Sequence, residues 1–188
     1  MPILKQEPCQ YPESLFAGDL PESDEVCWLV LHTLPRREKS LLRKLQALQI
    51  WHYGPVVPQR QRSPAGRIRT SYRPLFPGYV FVYCNRNDQL RCLETGDIAN
   101  CLPVGDDQRL YLELRQIWKM LQTDSDVTPQ PVPQTGQTAR VVSGPLAGLT
   151  GTVTAVDGRH RLTLMVSFMQ QGASVTVDLA DLQIVERN

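Results

Sequence analysis

The chain has 188 residues, of which 41% are hydrophobic and 21% are charged. This length fits one domain or two small ones, and the composition excludes a collagenous or broadly disordered protein. Twenty basic residues oppose 19 acidic ones, so the net charge of +1 by itself selects no partner. No apolar run reaches the roughly 18 to 20 residues that span a bilayer, and the N-terminus lacks the pattern of a secretory signal. We therefore expect no membrane partner.

The five cysteines and three histidines are scattered, and no Cys-x-x-Cys pair occurs. Spacing typical of a zinc site is therefore absent. Cys84, Cys92 and Cys101 could converge in the fold, but no histidine lies at a recognisable distance from them in the sequence. Motifs of nucleotide-binding and hydrolytic enzymes are also missing. We predict a cytoplasmic protein with reduced cysteines and no catalytic residue, metal or cofactor.

Charge is distributed unevenly along the chain. Residues 1–25 contain six acidic residues and one lysine, which predicts an acidic disordered tail; an acidic arm lying over the basic region that follows is the alternative. Residues 36–73 contain ten basic residues, opposed only by Glu38. Such density suits a polyanion, although a solvated helix face and a mobile hairpin loop would also explain it.

The first half of the chain reads as strands and helices in alternation. Residues 27–33 are apolar and partly β-branched, which predicts a central strand. Leucines at 41, 42, 45 and 48 then predict an amphipathic helix of about 14 residues with a basic outer face. Further strands are predicted at 53–58, 68–72 and 79–83, a loop at 59–67, and a second helix from Leu110, Leu114, Ile117 and Leu121. This order predicts an α+β fold with helices packed on an antiparallel sheet.

The second half begins with a proline-containing segment, residues 123–137, which is typical of a semi-extended linker. Beyond it, five short strands are predicted at 139–142, 153–156, 162–168, 174–177 and 182–185. Five strands in so short a piece predict a small closed barrel. Turns or close backbone contacts are marked by Gly144, Gly148 and Gly151.

The stretch RPLFPGYVFV, residues 73–82, stands out because two prolines and a glycine form a rigid entry into a strand. Tyr79 and Phe81 are two residues apart and therefore point to the same face of the sheet. If the first helix covers the opposite face, these rings are exposed and could receive a helix of a partner. The pattern alone is equally consistent with a core role.

Two blocks in this order resemble the NusG/RfaH family of transcription elongation factors. PLFPGYVFV (74–82) is similar to the most specific stretch of the family's NGN domain, with Trp28 opening the first strand. GQTARVVSGPLAGLTGTVTAVDGRHRLTLMVSF (136–168) is similar to its KOW motif. The resemblance implies a tail at 1–25, an NGN domain at 26–122 with an antiparallel sheet flanked by helices, a Pro-rich linker at 123–137, and a five-stranded KOW β-barrel at 138–188.

The resemblance also implies a function: a monomeric bacterial factor that binds RNA polymerase, bridges the DNA cleft to the β subunit and suppresses pausing or termination. The clamp helices of the β′ subunit would dock on the residues that match the family's NGN pocket, which are Leu75, Phe76, Pro77, Tyr79 and Phe81. Non-template or upstream DNA would lie near the basic helix residues Arg36, Arg37, Lys39, Arg43 and Lys44. Rho or a small-subunit ribosomal protein would bind the KOW turn formed by Phe168, Met169, Gln170 and Gln171.

Two stretches depart from the family's usual pattern. The turn at 168–171 departs from the housekeeping form, in which an aromatic and an arginine often occupy this turn, and residues 97–105 depart from the family's usual glycine-and-phenylalanine version. These departures favour a specialised paralogue. A general factor that couples polymerase to Rho or the ribosome stays open, as does a KOW-type ribosomal or RNA-binding protein.

One relative in the family stores its KOW domain as a helical hairpin. Here the glycines and Pro145 of the first KOW hairpin disfavour helix. We therefore predict a constitutive β-barrel that leaves Phe76, Tyr79 and Phe81 open to polymerase.

Overall fold

The computed structural model describes residues 8–18, 23, 25–62, 68–123, 127–131, 136–156, 159–166, 169, 171–177 and 181–185. The chain divides into two compact units, residues 1–107 and 108–188. This division differs from the expected boundary at 123–137, so the assignment of functional domains remains a prediction. In the described residues the architecture is mixed, with antiparallel sheets, three helices and a β-rich C-terminal region, as the α+β prediction requires.

The described part of the first unit contains seven strands and two helices, in chain order β1 (Gln10–Tyr11), β2 (Val26–Thr33), α1 (Glu38–Ala47), β3 (Trp51–Tyr53), β4 (Val56–Arg62), β5 (Ile68–Pro74), β6 (Tyr79–Asn85), α2 (Arg86–Glu94) and β7 (Ile98–Pro103). Five of the strands form an antiparallel sheet in the order β1-β3-β6-β2-β7. The predicted strands at 27–33 and 79–83 are its two central neighbours, β2 and β6.

The two faces of this sheet carry different cores. On one face, Leu29, Leu31, Val80 and Val82 pack with the buried leucines of α1. Because side chains alternate along a strand, Trp28, Val30, Phe81 and Tyr83 lie on the other face, and all four are buried. Helix α1 therefore covers the face opposite Tyr79 and Phe81, which was the condition for exposed rings, but Phe81 is nevertheless buried.

Helix α1 has 10 residues, fewer than predicted. It ends because Gln49 adopts a left-handed conformation (φ 56°) and the amide of Ile50 turns back to the carbonyl of Leu45, 3.1 Å away. Such a left-handed residue after a helix satisfies carbonyls that the last turn leaves open. The leucine spacing predicted a helix that includes Leu48, but the helical backbone ends at Ala47.

The N-terminal segment is not wholly a disordered tail, and that prediction is wrong for residues 8–18. β1 pairs with β3, and the carbonyl of Cys9 accepts a hydrogen bond from the amide of Gly54 at 2.6 Å. Phe16 is 1% exposed and meets the ring of Tyr53 edge-on, with 4.8 Å between centroids. A buried aromatic contact outweighs the acidic composition around it.

Strands β4 and β5 form a separate two-stranded sheet of seven residue pairs, from Val56 opposite Pro74 to Arg62 opposite Ile68. The predicted return strand at 68–72 is confirmed. The predicted strand at 53–58 is divided between two sheets, and the predicted loop at 59–67 is wrong for residues 59–62, which continue β4. Cross-strand pairing overrides the polar composition there.

Two elements of this unit carry too little apolar signal to be predicted. Helix α2 buries only Cys92, and it begins where the side chain of Asn85 accepts a hydrogen bond from the amide of Asp88 at 2.8 Å. Strand β7 is an edge strand that pairs with β2 through residues such as Cys101, which lies opposite Leu31.

The remaining elements are α3 (Asp107–Leu121), β8 (Thr128–Pro131), β9 (Gln137–Val141), β10 (Thr150–Val156), β11 (Arg159–Val166), β12 (Gln171–Val177) and β13 (Leu182–Ile184). The predicted second helix is confirmed as α3. The strands form one sheet in the order β13-β9-β10-β11-β12-β8, and all of its pairs are antiparallel.

The five predicted C-terminal strands are present as β9 to β13, so this region is in its β form where the structure describes it. Strand β8 is additional: residues 128–131 of the predicted linker pair with residues 171–174 of β12. The alternating prolines leave enough free amides and carbonyls for an edge strand, where proline is tolerated. Whether the β form is constitutive remains a prediction.

Candidate functional site

The loop before β6 is a tight turn. The amide of Tyr79 donates to the carbonyl of Phe76 at 3.1 Å, and Pro77 and Gly78 occupy the two central positions. Gly78 has φ +82°. Proline followed by a residue with positive φ is the signature of a type II turn, so the Pro-Gly pair fixes the direction in which Tyr79 enters the strand.

This turn is held to the rest of the unit from two sides. The carbonyl of Gly78 accepts a hydrogen bond from the amide of Thr33 at 2.8 Å. Its amide donates to Oε1 of Glu38, also at 2.8 Å. Glu38 is the first residue of α1, so the rigid turn and the start of the basic helix are joined.

The five residues matched to the NGN pocket do not share one environment. Pro77 is exposed and Tyr79 is half-buried, whereas Leu75, Phe76 and Phe81 are at most 1% exposed. The expectation that Phe76 and Phe81 are open is therefore wrong in this structure. The rings of Phe76 and Phe81 meet edge-on at 5.9 Å, so they support the turn from beneath.

His32 was not among the residues that the sequence predicted for this site. His32 is exposed, lies opposite Tyr79 in the β2–β6 ladder and stacks on its ring, with 5.2 Å between centroids and 25° between planes. The available signal was alternation: His32 falls on the same face as Trp28 and Val30. The accessible part of this site is thus a stacked ring pair beside Pro77, which we call the ring-pair surface (His32, Pro77 and Tyr79).

The basic residues assigned to DNA are all on the surface of α1 and the turn before it. Arg36, Arg37, Lys39 and Arg43 are exposed, and Lys44 is half-buried. The structure therefore brings these five together on one side of the helix, opposite the buried leucines.

Two of these cations share a buried carboxylate that was not predicted as a site residue. Asp97 has a side chain only 4% exposed; Lys44 Nζ lies 2.8 Å from its Oδ2, and Arg37 lies 3.8 Å from its Oδ1. Ser40 donates to the same carboxylate at 2.8 Å. Burial acts to raise the pKa of Asp97, but these hydrogen bonds and charges outweigh it, and the pKa lies below its ordinary value.

The backbone of Arg36 is strained. Its φ is 62°, in the left-handed region that L-residues rarely adopt. It follows Pro35 in a turn closed by a 3.1 Å hydrogen bond from the amide of Arg37 to the carbonyl of Leu34. An exposed arginine is held where glycine would be relaxed, which marks the position as a candidate for function.

The glycine-rich turn of the second unit connects β9 and β10. Gly144 and Gly148 have φ values of +77° and +88°, and the amide of Gly148 donates to the carbonyl of Val141 at 2.8 Å. Gly151 is needed for another reason, since an added Cβ would collide with the backbone carbonyl of Thr163. The positive φ angles and the close backbone contact both match the predicted structural role of these glycines.

The predicted KOW partner site is only partly visible. Phe168 and Gln170 lie outside the described residues. Met169 and Gln171 are half-buried, and Gln171 opens β12. Within the same unit, Gln116 of α3 accepts a hydrogen bond from the amide of Thr150 at 3.1 Å.

In the described part of the chain, no helix is both long and apolar enough to cross a membrane. Among the same residues, no three His, Cys, Asp or Glu side chains are grouped so that they could hold a metal ion.

Comparison with known proteins gives the class. A family model described as "Transcription termination factor nusG" matches residues 26–136, more than half of the chain. The "Transcription termination/antitermination protein NusG" of Pseudomonas aeruginosa is 27% identical over 171 residues, covering 84% of this chain and 96% of the relative. The protein of the same name from Thermus thermophilus is 25% identical over 177 residues, covering 82% and 96%.

Among solved structures, "Domain interaction in Thermotoga maritima NusG" covers 86% of this chain and 98% of its own at 18% identity, with a TM-score of 0.44. On the family match, the chain belongs to the NusG family of transcription termination/antitermination factors. The resemblance noted in the sequence is therefore confirmed at the level of the family.

Proposed function

We propose that this protein is a specialised NusG-type elongation factor that docks on RNA polymerase through its ring-pair surface. The clamp helices of the β′ subunit bind there, a second side of the unit reaches the β subunit, and the bridged cleft suppresses pausing or termination. The observation that carries this proposal is the stacked, accessible His32–Tyr79 pair, held rigid by the turn at Pro77 and Gly78. Aromatic anchors on a preorganised frame are typical binding hot spots.

In this proposal Leu75, Phe76 and Phe81 act from below the surface. Their burial argues for a supporting role, in which they fix the turn while Tyr79 makes the contact. This refines the role that the family resemblance assigned to all five residues.

Nucleic acid binds the exposed cations of α1 and the preceding turn, which suits non-template or upstream DNA. Arg36, Lys39 and Arg43 supply most of this contact, because Arg37 and Lys44 already share the charge of Asp97. Binding of this kind is sequence-independent and salt-dependent.

The second unit recruits Rho or a small-subunit ribosomal protein through the turn at 168–171. The departures at 168–171 and at 97–105 support the specialised role over the general one. Asp97 is the first residue of the stretch 97–105. Its contact with α1 changes how many cations of that helix face the solvent.

The test is the affinity of the full-length protein for core RNA polymerase. Tyr79→Ala should weaken binding by about thirtyfold, since truncating an aromatic anchor typically costs about 2 kcal/mol. Tyr79→Phe keeps the ring stacked on His32 and is the matched control, with affinity close to that of the unmodified protein. Both variants should show an unchanged thermal unfolding midpoint. A folded Tyr79→Ala variant with full affinity would contradict the docking proposal.

A separate measurement shows whether the protein suppresses or promotes termination. Transcription in vitro across a Rho-dependent terminator should give more read-through with the unmodified protein than with Tyr79→Ala. Increased termination would instead favour the general, Rho-coupled alternative.

A further inference from the structure

Four cysteines that the proposed function does not use lie on one face of the five-stranded sheet: Cys101 of β7, which is half-buried against the core, and the three thiols Cys27, Cys84 and Cys92. Cys84 of β6 and Cys92 of α2 belong to the same buried core, at 3% and 0% exposure. Cys27 of β2 is exposed and lies directly opposite Cys84 in the β2–β6 ladder. Side chains directly opposite in an antiparallel pair have Cβ atoms about 4.5 to 5.5 Å apart. The three thiols thus run from the surface of the protein into its core.

The inner two thiols are in direct contact. Cys84 and Cys92 are hydrogen-bonded to each other, which raises the pKa of Cys84 and lowers that of Cys92. Cys92 is therefore the better nucleophile of the pair, because the thiolate is the reactive form. Among the described residues no metal-binding group exists that would explain the cluster.

We propose that Cys27, Cys84 and Cys92 form an oxidation relay that ends in a Cys84–Cys92 disulfide, with a hydroperoxide as the oxidant. The geometry requires a relay because the two cysteines of the final bond are buried, whereas the exposed Cys27 can meet a small oxidant. The proposal concerns the first unit alone and does not depend on polymerase binding.

Each step balances. Partial burial and the nearby Asp107 raise the pKa of Cys27, so the thiolate that attacks hydrogen peroxide is its minor form. In this attack an S–O bond forms, the O–O bond breaks, hydroxide leaves, and Cys27 becomes a sulfenic acid. The thiol of Cys84 then attacks that sulfur: an S–S bond forms, the S–O bond breaks, and the Cys84 proton leaves with the hydroxyl group as water, which gives a Cys27–Cys84 disulfide. Finally the thiolate of Cys92 attacks the sulfur of Cys84 and releases Cys27 as a thiolate. In sum, two thiols and one peroxide give one disulfide and two waters.

The product would fasten α2 to β6. Cys84 lies one residue before Asn85, the N-cap of α2, and Cys92 lies on the buried face of that helix. The bond would close a short loop that contains the N-cap and most of the helix. A thiol reductant should reduce this disulfide again by thiol–disulfide exchange.

The experiment treats reduced full-length protein with hydrogen peroxide, blocks the remaining thiols by alkylation and maps the peptides by mass spectrometry. We expect a peptide with Cys84 joined to Cys92, lighter by two hydrogens and restored by dithiothreitol. Cys27→Ala, at an exposed position, should slow its formation by about tenfold or more, since buried thiols react poorly with oxidants. Cys9→Ala, at a half-buried cysteine outside the cluster, is the matched control and should leave the rate unchanged.

A second variant tests the order of the relay. Cys84→Ser should leave Cys27 as a sulfenic acid that dimedone captures, with Cys92 still reduced. The relay is wrong if no Cys84–Cys92 disulfide forms, if Cys27→Ala forms it at the original rate, or if a Cys27–Cys84 disulfide accumulates as the final product.

Discussion

Two turns of similar construction lie next to each other in the first unit, and they solve the same backbone problem differently. In Phe76–Tyr79 and in Leu34–Arg37, proline is followed by a residue with positive φ, and a 3.1 Å hydrogen bond closes the turn. The first turn uses Gly78, for which this conformation is unstrained. The second uses Arg36, for which it is not.

The anchors of the two turns also differ. Gly78 is tied by its amide to the side chain of Glu38, whereas Leu34 is tied by its amide to the backbone carbonyl of Asp97 at 2.9 Å. The carboxylate of Asp97 then draws in Arg37 and Lys44. The glycine turn is relaxed and positions a ring, while the arginine turn is strained and displays a charge. Strain retained at an exposed cation is what a binding role would require.

The largest effect is expected at the anchor of the arginine turn. Asp97→Ala removes a carboxylate that accepts from Lys44 and Ser40, and hydrogen bonds to charged groups contribute about 1.5 to 3 kcal/mol each. Because Lys44 and Arg37 are 43% and 58% exposed, water can replace part of the loss. We expect the free energy of unfolding in urea to fall by about 2 kcal/mol.

Asp88 provides the matched control for that variant. It pairs with Arg91 at 2.7 Å on the surface of α2, so Asp88→Ala should cost about 1 kcal/mol or less. Equal losses for the two variants would mean that the buried carboxylate of Asp97 stabilises the fold no more than an ion pair on the surface.

The carboxylate of Asp97 should also make the free energy of unfolding depend on pH. Because the pKa of folded Asp97 lies below its ordinary value, its stabilisation is complete above that ordinary value and is lost as the pH falls through the folded one. The difference in unfolding free energy between the unmodified protein and Asp97→Asn should therefore be constant down to about pH 4 and shrink below it. A difference that already shrinks between neutral pH and about pH 5 would contradict this assignment.

The glycine turn should lose stability when its permissive residue is replaced. Gly78→Ala forces an L-residue to φ +82°, which costs about 1 to 2 kcal/mol. The added Cβ would lie 3.5 Å from the His32 ring, an ordinary contact, so the cost is one of backbone conformation alone. Gly105→Ala, where no atom lies within 4 Å and φ is not positive, should be nearly neutral in the same urea titration.

The smallest effect is expected at Arg36, and it should have the opposite sign. Arg36→Gly relieves strain but makes the unfolded chain freer, so the net gain in unfolding free energy should be about 0.5 kcal/mol. The same change should reduce the slope of log affinity for DNA against log salt by about 0.7 to 0.9, one phosphate contact. Arg36→Lys keeps both the charge and the strain and should change neither quantity. A gain in stability with an unchanged salt slope would remove Arg36 from the DNA contact.

The elements that could be predicted from the sequence are those with a strong local pattern. The apolar run of β2, the leucine spacing of α1 and α3, and the five C-terminal strands all carry periodicity that a helix or strand needs by itself. The missed elements β1, α2, β7 and β8 are short or polar. They exist because a neighbouring strand or a cap offers them partners, as Tyr53 and Gly54 do for the N-terminal segment.

For the candidate site, the sequence by itself determined the turn chemistry and the face. Pro77-Gly78 requires a turn with positive φ, and alternation puts Tyr79 and Phe81 opposite Val80 and Val82. Only the tertiary structure decided which ring is accessible. Phe81 lies in the middle of the sheet with Val30 and Tyr53 on either side, whereas Tyr79 begins its strand next to His32. Neighbours on both flanking strands exclude water from a ring, whereas a ring at the end of a strand keeps part of its surface exposed. The ion pair of Asp97 with Lys44 was likewise decided by the tertiary structure, because it joins residues 53 positions apart and no local pattern encodes it.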